Sequence, residues 1–224
     1  GPAHRLHALA RVHAAPIPAP LPSQWREVSA ASDEYRHVTV AGRYLYGASA
    51  LTQATTDLGA GYWLLTPLED DAGNKILINR GFVTPQAAAQ IRAMLAEKRK
   101  LPASERLAVN GLLRITEPGG GFLRHNDPVA DRWHSRDVEA IAASRGLAPV
   151  APYFIDADAS PAAADPLLAE GEQPVGGLTV VAFHNNHLVY ALTWYALALM
   201  VVAIVVWILR TERRRARGVG GQID

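Results

Sequence analysis

The chain has 224 residues, with 22 Lys and Arg against 21 Asp and Glu, and 49% of its residues are hydrophobic. A chain of this composition folds around a core, which excludes a protein that is disordered in bulk. It contains no cysteine, which excludes disulfides, zinc–thiolate sites, a thiol nucleophile and covalent attachment of a c-type haem.

The first 22 residues are predicted to lie outside the folded domain. They begin with a short stretch that carries histidine and arginine, followed by a connector from Ala14 to Pro22 that contains four prolines. Proline removes a backbone donor and fixes φ, so this connector is predicted to be extended rather than helical.

Residues 23–183 are predicted to form one domain of short strands and two helices. Runs of alternating apolar residues at 62–68 and 75–83 flank a turn of acidic, Gly and Asn residues, which predicts a hairpin. Gly111 is predicted to mark a β-bulge. The predicted strands are 35–46, 62–68, 75–83, 106–116 and 151–157, and the predicted helices are 86–100 and 137–145. We therefore expect an α+β fold with an antiparallel, barrel-like β domain and about two helices.

Residues 184–209 are predicted to form a transmembrane helix. No charged residue occurs between Leu188 and Leu209. A helix of about 22 residues is about 33 Å long, which is enough to cross the hydrocarbon core of a bilayer. Tyr and Trp residues near both ends, including Trp194 and Trp207, suit the membrane–water interface. The alternative, a buried core helix, is disfavoured by so long a run without charge.

Residues 210–224 form a basic tail with five arginines. Positive residues stay on the cytoplasmic side of a span, so we expect a cytoplasmic C-terminus and an extracytoplasmic domain. The arginines also suit anionic headgroups, which makes membrane lipids, and not nucleic acid, their expected partner. An extracytoplasmic domain must be carried across the membrane, usually by an apolar segment that precedes it, and no such segment occurs in this sequence. Residues 1–22 are therefore expected to be the end of a missing N-terminal transmembrane segment, followed by the proline-rich connector.

Enzyme motifs are incomplete in this sequence, and we expect no enzymatic activity. There is no Gly-Lys-Ser/Thr phosphate loop and no His-Glu-x-x-His motif. His184 and His187 stand three residues apart at the outer end of the span, where a helix places them on one face. One of them is suited to be an axial ligand of haem iron, but two side chains on one helix face cannot bracket one iron. The alternative is that both histidines, with Asn185 and Asn186, cap the helix and meet lipid headgroups.

Several short motifs follow one another in an order that is specific as a set. The strongest runs from Asn185 to Trp194. The others are Tyr35-Arg36-His37-Val38, Gly42-Arg43-Tyr44, Gly61-Tyr62-Trp63-Leu64-Leu65-Thr66-Pro67-Leu68, Leu77-Ile78-Asn79-Arg80-Gly81-Phe82-Val83, Asn110-Gly111-Leu112-Leu113-Arg114-Ile115-Thr116-Glu117, Asn126-Asp127-Pro128 and Trp133. In this order they resemble the SURF1 family of cytochrome c oxidase assembly factors.

The resemblance implies a non-enzymatic assembly factor whose extracytoplasmic domain lies between two transmembrane helices, the first of which this sequence lacks. It implies transient binding of haem a and help with its insertion into oxidase subunit I. His187 matches the position of the family's haem-associated histidine and is the expected ligand of the haem iron. Tyr190 and Trp194 are its expected packing neighbours, and His184 is a weaker candidate.

The resemblance also implies partners and a location. The expected partners are cytochrome c oxidase subunit I and other oxidase assembly factors. The motifs are most similar to bacterial, especially alphaproteobacterial, members, which implies the inner membrane with the main domain on the periplasmic side. Asn79 and Arg80 are expected to hold structure or a partner surface. The alternative function is a membrane scaffold that stabilises oxidase subunits or assembly intermediates without binding haem.

Overall fold

A computed structural model describes residues 11–97, 101–121, 123–159, 167–168, 172–178 and 187–219, with side chains in the last range from 193 to 210. The chain divides into two compact units, Gly1–Val181 and Ala182–Asp224. The first unit contains a β-barrel with short helices. The described part of the second unit is one long helix.

Nine strands and three short α-helices are found in the described part of the first unit. The strands are β1 (Ile17–Pro18), β2 (His37–Tyr44), β3 (Ala50–Thr56), β4 (Gly59–Glu69), β5 (Lys75–Val83), β6 (Leu107–Ile115), β7 (Gly120–Gly121), β8 (Arg124–His125) and β9 (Val150–Ala157). The helices are α1 (Ala30–Asp33), α2 (Pro85–Ala96) and α3 (Val138–Ser144), with 3₁₀ segments at Pro22–Glu27 and Tyr46–Ala48. Helix α4 (His187–Val219) forms the second unit.

Five of these strands close into a barrel. Hydrogen bonds join β2, β6, β9, β5 and β4 in that order, and β4 returns to β2 through the pairs Arg43–Glu69 and Tyr44–Leu68. All neighbours in this ring are antiparallel except β5 and β9, which are parallel. The result is a Greek-key barrel of the kind found in OB-folds. The predicted α+β fold with a barrel-like domain is confirmed, with this one parallel pair as a refinement.

Two further strands extend the sheet at its rim. β1, from the proline-rich connector, pairs in parallel with the start of β2. β3 pairs along its whole length with β4 in antiparallel register. β3 was not predicted, because its Ala- and Thr-rich sequence lacks a clear apolar alternation. Its position depends on long-range contacts instead: Gln53 donates its backbone N–H to the carbonyl of Trp133 at 2.9 Å.

Alternate residues of the barrel strands fill its interior. Val38, Ile78, Leu113 and Ile155 are fully buried there. Each buried aliphatic side chain of this size contributes about 1.5–3 kcal/mol to folding. The interior therefore supplies the main stabilising core of the first unit.

Helix α2 packs against strands β3, β4 and β5. The Thr84 side chain accepts a hydrogen bond from the backbone N–H of Ala87 at 3.2 Å, and Pro85 occupies the first turn, where a backbone donor is not needed. Ile91 is fully buried in the cluster between α2 and the sheet, which includes Leu64. The helix begins as predicted but ends at Ala96, before the predicted end at residue 100.

The segment between β6 and β9 covers the outer face of the barrel. Trp133 is 1% exposed and packs there with Leu65, Leu77 and Phe154. Asp137 caps α3, since its side chain accepts a hydrogen bond from the backbone N–H of Ala140 at 3.1 Å. The predicted helix over 137–145 is thus confirmed as α3. This segment holds the site residues described below against the barrel.

The predicted bulge at Gly111 is wrong. β6 pairs without a register shift at this position, both with β2 and with β9. A Cβ atom on Gly111 would lie 2.2 Å from the carbonyl oxygen of Asp156. The glycine is needed because the two strands approach each other closely at this point.

Candidate functional site

Helix α4 is long and apolar enough to cross a membrane. Its segment Thr193–Arg210 has a mean hydropathy of 2.0 over 18 residues, none of them buried. Eighteen residues of helix span about 27 Å, close to the thickness of a bilayer core. Trp194, Tyr195 and Trp207 are each more than 60% exposed. By its length and composition, α4 is compatible with membrane anchoring.

The predicted haem ligand lies at the start of this helix. His187 is the first residue of α4, and Tyr190 and Trp194 follow at positions i+3 and i+7. With 3.6 residues per turn, these three positions share one face of the helix. His184 lies outside the described residues, so its position on the same helix face as His187 stays a prediction.

The prediction that α4 would hold a haem rests on the order of residues along the helix. The helix offers one imidazole position, His187, followed by two aromatic positions on the same face. The Trp194 side chain is 64% exposed, so its indole is not engaged in packing within its own unit. An aromatic plane of this kind can pack against a macrocycle, while imidazole coordinates the iron.

In the barrel domain, a group of buried charges lies on the outer face of β5, β6 and β9. Its centre is Asp156, which is 4% exposed. Asp156 accepts hydrogen bonds from Asn79 Nδ2 at 2.7 Å, Arg114 Nη1 at 2.8 Å and Arg136 Nη1 at 3.2 Å. The carboxylate joins two barrel strands to the segment that contains Arg136. We refer to these four residues as the Asp156 network.

Each arginine of the Asp156 network has a second carboxylate partner. Arg114 Nε donates to Glu34 at 2.8 Å, and Arg136 Nη2 donates to Glu117 at 2.6 Å. Burial raises the pKa of Glu117, but the hydrogen bonds and charge of Arg136 outweigh it and keep that pKa below its usual value. The guanidinium of Arg136 also lies 4.7 Å from the centre of the Phe154 ring. Each buried guanidinium of the network therefore has two carboxylate partners, so neither buried positive charge is left uncompensated.

The Asn79-Arg80-Gly81 motif also has a structural role. The side-chain oxygen of Asn79 accepts the backbone N–H of Gly81 at 3.2 Å. Gly81 has φ of 131°, and a Cβ there would lie 2.4 Å from the carbonyl oxygen of Val175. The Arg80 guanidinium lies 4.8 Å from the centre of the Tyr44 ring. These contacts support the interpretation that Asn79 and Arg80 hold structure.

His37 links the proline-rich connector to the residue that follows β9. Its Nδ1 lies 2.7 Å from the carbonyl oxygen of Ala14, and its Nε2 lies 2.7 Å from Asp158 Oδ2. Both partners are acceptors, so His37 donates both hydrogen bonds only when its ring is protonated. Burial lowers the pKa of His37, but the hydrogen bond to Ala14 and the hydrogen bond and charge of Asp158 raise it by more. The net pKa therefore lies above the usual value of 6.5.

We expect the stability of the domain to depend on pH through His37. Its folded pKa is raised, so its contribution is complete below pH 6.5 and is lost as the pH rises through the folded pKa. Because Asp158 is 43% exposed, the contribution is at most about 1 kcal/mol. Thermal unfolding from about pH 5.5 to 8.5 should show a fall in melting temperature that His37→Gln removes. An unchanged slope in the variant would contradict this assignment.

Sequence reasoning missed the Asp156 network and the His37 contacts. A signal for the network was present in the sequence, because charged residues occur within apolar strands. Asp156 follows Tyr153-Phe154-Ile155, and Arg114 follows Leu112-Leu113. Among the residues that the structure describes, no three His, Cys, Asp or Glu side chains are grouped as a metal site.

These features define a class of protein: a small β-barrel domain joined in sequence to an apolar helix compatible with membrane anchoring. The sequence model of the SURF1 family matches residues 5–199, and the chain belongs to this family. The resemblance drawn from the motifs is therefore confirmed.

The chain is similar to proteins of several organisms. It is 31% identical over 211 residues to a SURF1-like protein of Monosiga brevicollis, covering 89% of this chain and 75% of that protein. It is 30% identical over 200 residues to human Surfeit locus protein 1, covering 81% and 60%. It is 31% identical over 136 residues to the cytochrome oxidase assembly protein SHY1 of Saccharomyces cerevisiae, covering 59% and 35%.

Proposed function

We propose that the protein is a membrane-anchored assembly factor for haem–copper cytochrome oxidase, which binds haem a transiently and aids its insertion into subunit I. The observation that carries this proposal is membership of the SURF1 family, together with similarity to a yeast protein named for cytochrome oxidase assembly. Its partners are oxidase subunit I and other assembly factors, and its role is binding and transfer rather than catalysis of a reaction.

The residues at the start of α4 perform the binding step in this proposal. His187 is the ligand of the haem iron, and Tyr190 and Trp194 pack beside the macrocycle on the same helix face. Haem a is the cargo and supplies the redox centre that the oxidase needs. A single axial imidazole at the membrane surface holds the cargo loosely enough for release, which suits transfer better than permanent binding.

The proposed location is the inner membrane of a bacterium. The barrel domain lies on the periplasmic side and the C-terminal tail on the cytoplasmic side. The support is the apolar helix and the five arginines that follow residue 209. The second candidate function, a scaffold that stabilises oxidase subunits or assembly intermediates without haem, differs from the first only in the role of α4.

The test is an absorption spectrum of the full chain purified from cells that make haem a. Wild-type protein is expected to show a Soret band with a-type features. His187→Ala should lower the haem content by about tenfold or more, because the axial ligand is lost. A matched control, His125→Ala in the exposed strand β8 of the barrel domain, should retain wild-type haem content.

Three other outcomes would change the proposal. Haem that is retained in His187→Ala but lost in His184→Ala would move the ligand to His184. Haem that is retained in both variants would place the ligand outside this pair. A wild-type protein without haem, purified with an N-terminal transmembrane helix present, would favour the scaffold function.

A further inference from the structure

Two adjoining cavities lie on the face of β3 and β4. Their volumes are about 330 Å³ and about 440 Å³, and both are lined by Gln53 and Tyr62. The smaller cavity is also lined by Arg92 of α2, and the larger by Arg124 of β8 and by His134. Together these cavities form the β3–β4 cleft, defined by these five residues.

The two arginines of the β3–β4 cleft contact neutral groups. Arg124 Nη1 donates to Gln53 Oε1 at 3.1 Å, and His134 Nδ1 lies 2.9 Å from the same oxygen. The Arg92 guanidinium lies 4.4 Å from the centre of the Tyr62 ring. In the part of the chain that the structure describes, no carboxylate pairs with Arg92 or Arg124. This contrasts with Arg114 and Arg136 of the Asp156 network, each of which contacts two carboxylates.

The acidic residue that lines the cleft does not neutralise it. Asp131 lines the smaller cavity, but its two oxygens accept hydrogen bonds from Arg145 at 2.8 and 3.0 Å. Arg132 lines the same cavity and pairs with Asp127 at 2.9 Å. After these pairs are counted, Arg92 and Arg124 leave a net positive charge in the cleft. The cleft is complementary to an anionic ligand.

The dimensions of the cleft match a polypeptide segment better than a single ion. A water molecule occupies about 30 Å³ in the liquid, so cavities of this size have room for several side chains. Arg92 lines one cavity and Arg124 lines the other, so they provide two separate anchor points. Each guanidinium can bind a carboxylate in a bidentate manner. Leu123, next to Arg124, is 86% exposed and offers an apolar contact at the rim.

Backbone geometry at Leu123 supports a role in contact with a partner. Its φ is 59°, a left-handed conformation that costs a residue with a side chain about 1–2 kcal/mol. The turn between β7 and β8 therefore presents a large apolar side chain to the outside in an unfavourable backbone conformation. The strained backbone and the exposure of Leu123 together make it a candidate contact for a partner.

We propose that the β3–β4 cleft binds an extended acidic segment of a partner protein. Two carboxylates of the segment pair with Arg92 and Arg124, and an apolar side chain contacts Leu123. The pairing rests on charge complementarity, with Gln53 holding Arg124 in place before binding. The proposal concerns the barrel domain alone and stands whether or not α4 binds haem.

The test is fluorescence anisotropy with the full chain in nanodiscs of zwitterionic lipid. The probe is a short labelled peptide of alternating Glu and Ala, and the reference is the same peptide with Lys for Glu. The wild type should bind the Glu peptide and not the Lys peptide. The double variant Arg92→Glu with Arg124→Glu should bind the Glu peptide about tenfold or more weakly, because attraction becomes repulsion at both anchors.

The matched control is Arg26→Glu with Arg106→Glu, which changes the net charge equally at exposed residues that do not line the cleft. Its affinity should stay within about twofold of wild type. An equal loss in both double variants would overturn the proposal in favour of general charge attraction. Displacement of the peptide by inorganic phosphate, but not by chloride at the same ionic strength, would reassign the cleft to a small anion or a lipid headgroup. Unchanged haem content in the cleft variant would show that the two proposed activities are separate.

Discussion

Replacing Asp156 by Ala is expected to lower the free energy of unfolding by about 3–5 kcal/mol, a large share of the stability of a small domain. The substitution leaves Arg114 and Arg136, whose side chains are 16% and 13% exposed, without the carboxylate that both contact. It also removes the acceptor of Asn79 Nδ2. Arg114 and Arg136 keep their pairs with Glu34 and Glu117, so the loss comes from three buried donors that no longer have an acceptor, at about 1–3 kcal/mol for each donor left without a partner.

Thermal unfolding of the full chain in detergent, followed by circular dichroism, measures this effect. The matched control is Asp71→Ala, which breaks the exposed pair between Arg106 and Asp71. Both side chains of that pair are exposed and screened by solvent, so its loss should change the stability far less than the loss of Asp156 does. Asp156→Asn keeps the size of the side chain and should fall between the two. A loss of less than about 1 kcal/mol in Asp156→Ala would show that the network is not needed for stability.

Local sequence signals predicted the elements whose turn or cap residues lie within the element itself. The hairpin of β4 and β5 was predicted because Asp70 begins a polar turn, and its Oδ1 does accept the backbone N–H groups of Ala72 and Asn74 at 2.9 and 2.8 Å. Helix α3 was predicted because Asp137 suits a helix start. In both cases the residues that make the structure lie within a few positions of each other.

Elements that depend on distant partners were not predicted correctly. The need for glycine at residue 111 arises from the neighbouring strand, at the carbonyl of Asp156, which the local sequence does not show. The parallel pairing of β5 with β9 joins residues about 75 positions apart, so it cannot be inferred from hydrophobic periodicity either. The same reason explains why the Asp156 network was missed. The haem-site residues predicted in α4, by contrast, come from a motif within one helix.

Trp133→Ala is expected to destabilise the barrel domain by about 3–5 kcal/mol, the usual cost of removing a buried aromatic side chain. Trp133 is 1% exposed and packs with Leu65, Leu77 and Phe154 in the cluster between the barrel and its covering segment. Its indole Nε1 also donates to Asp131 Oδ1 at 2.6 Å. Both the packing and the hydrogen bond are lost in the variant.

Thermal unfolding of the full chain again measures the effect, with Trp207→Ala as the matched control. Trp207 is 67% exposed on α4, so its loss should change the unfolding of the barrel domain by no more than about 0.5 kcal/mol. Trp133→Phe keeps most of the packing and should lose about 1 kcal/mol with the hydrogen bond. A stable Trp133→Ala variant would contradict the central role of this side chain.

Trp133 also links the core to the β3–β4 cleft, the surface that we infer to bind a partner. The carbonyl of Trp133 accepts the backbone N–H of Gln53, and His134 follows it in the chain and lines the β3–β4 cleft. Trp133→Phe should therefore keep the affinity for the Glu peptide, because the backbone of this segment stays in place. Trp133→Ala should weaken it even at temperatures where the domain is folded, since the wall of the cleft is no longer fixed by packing. Equal peptide affinity in both variants would show that the cleft forms without support from the core.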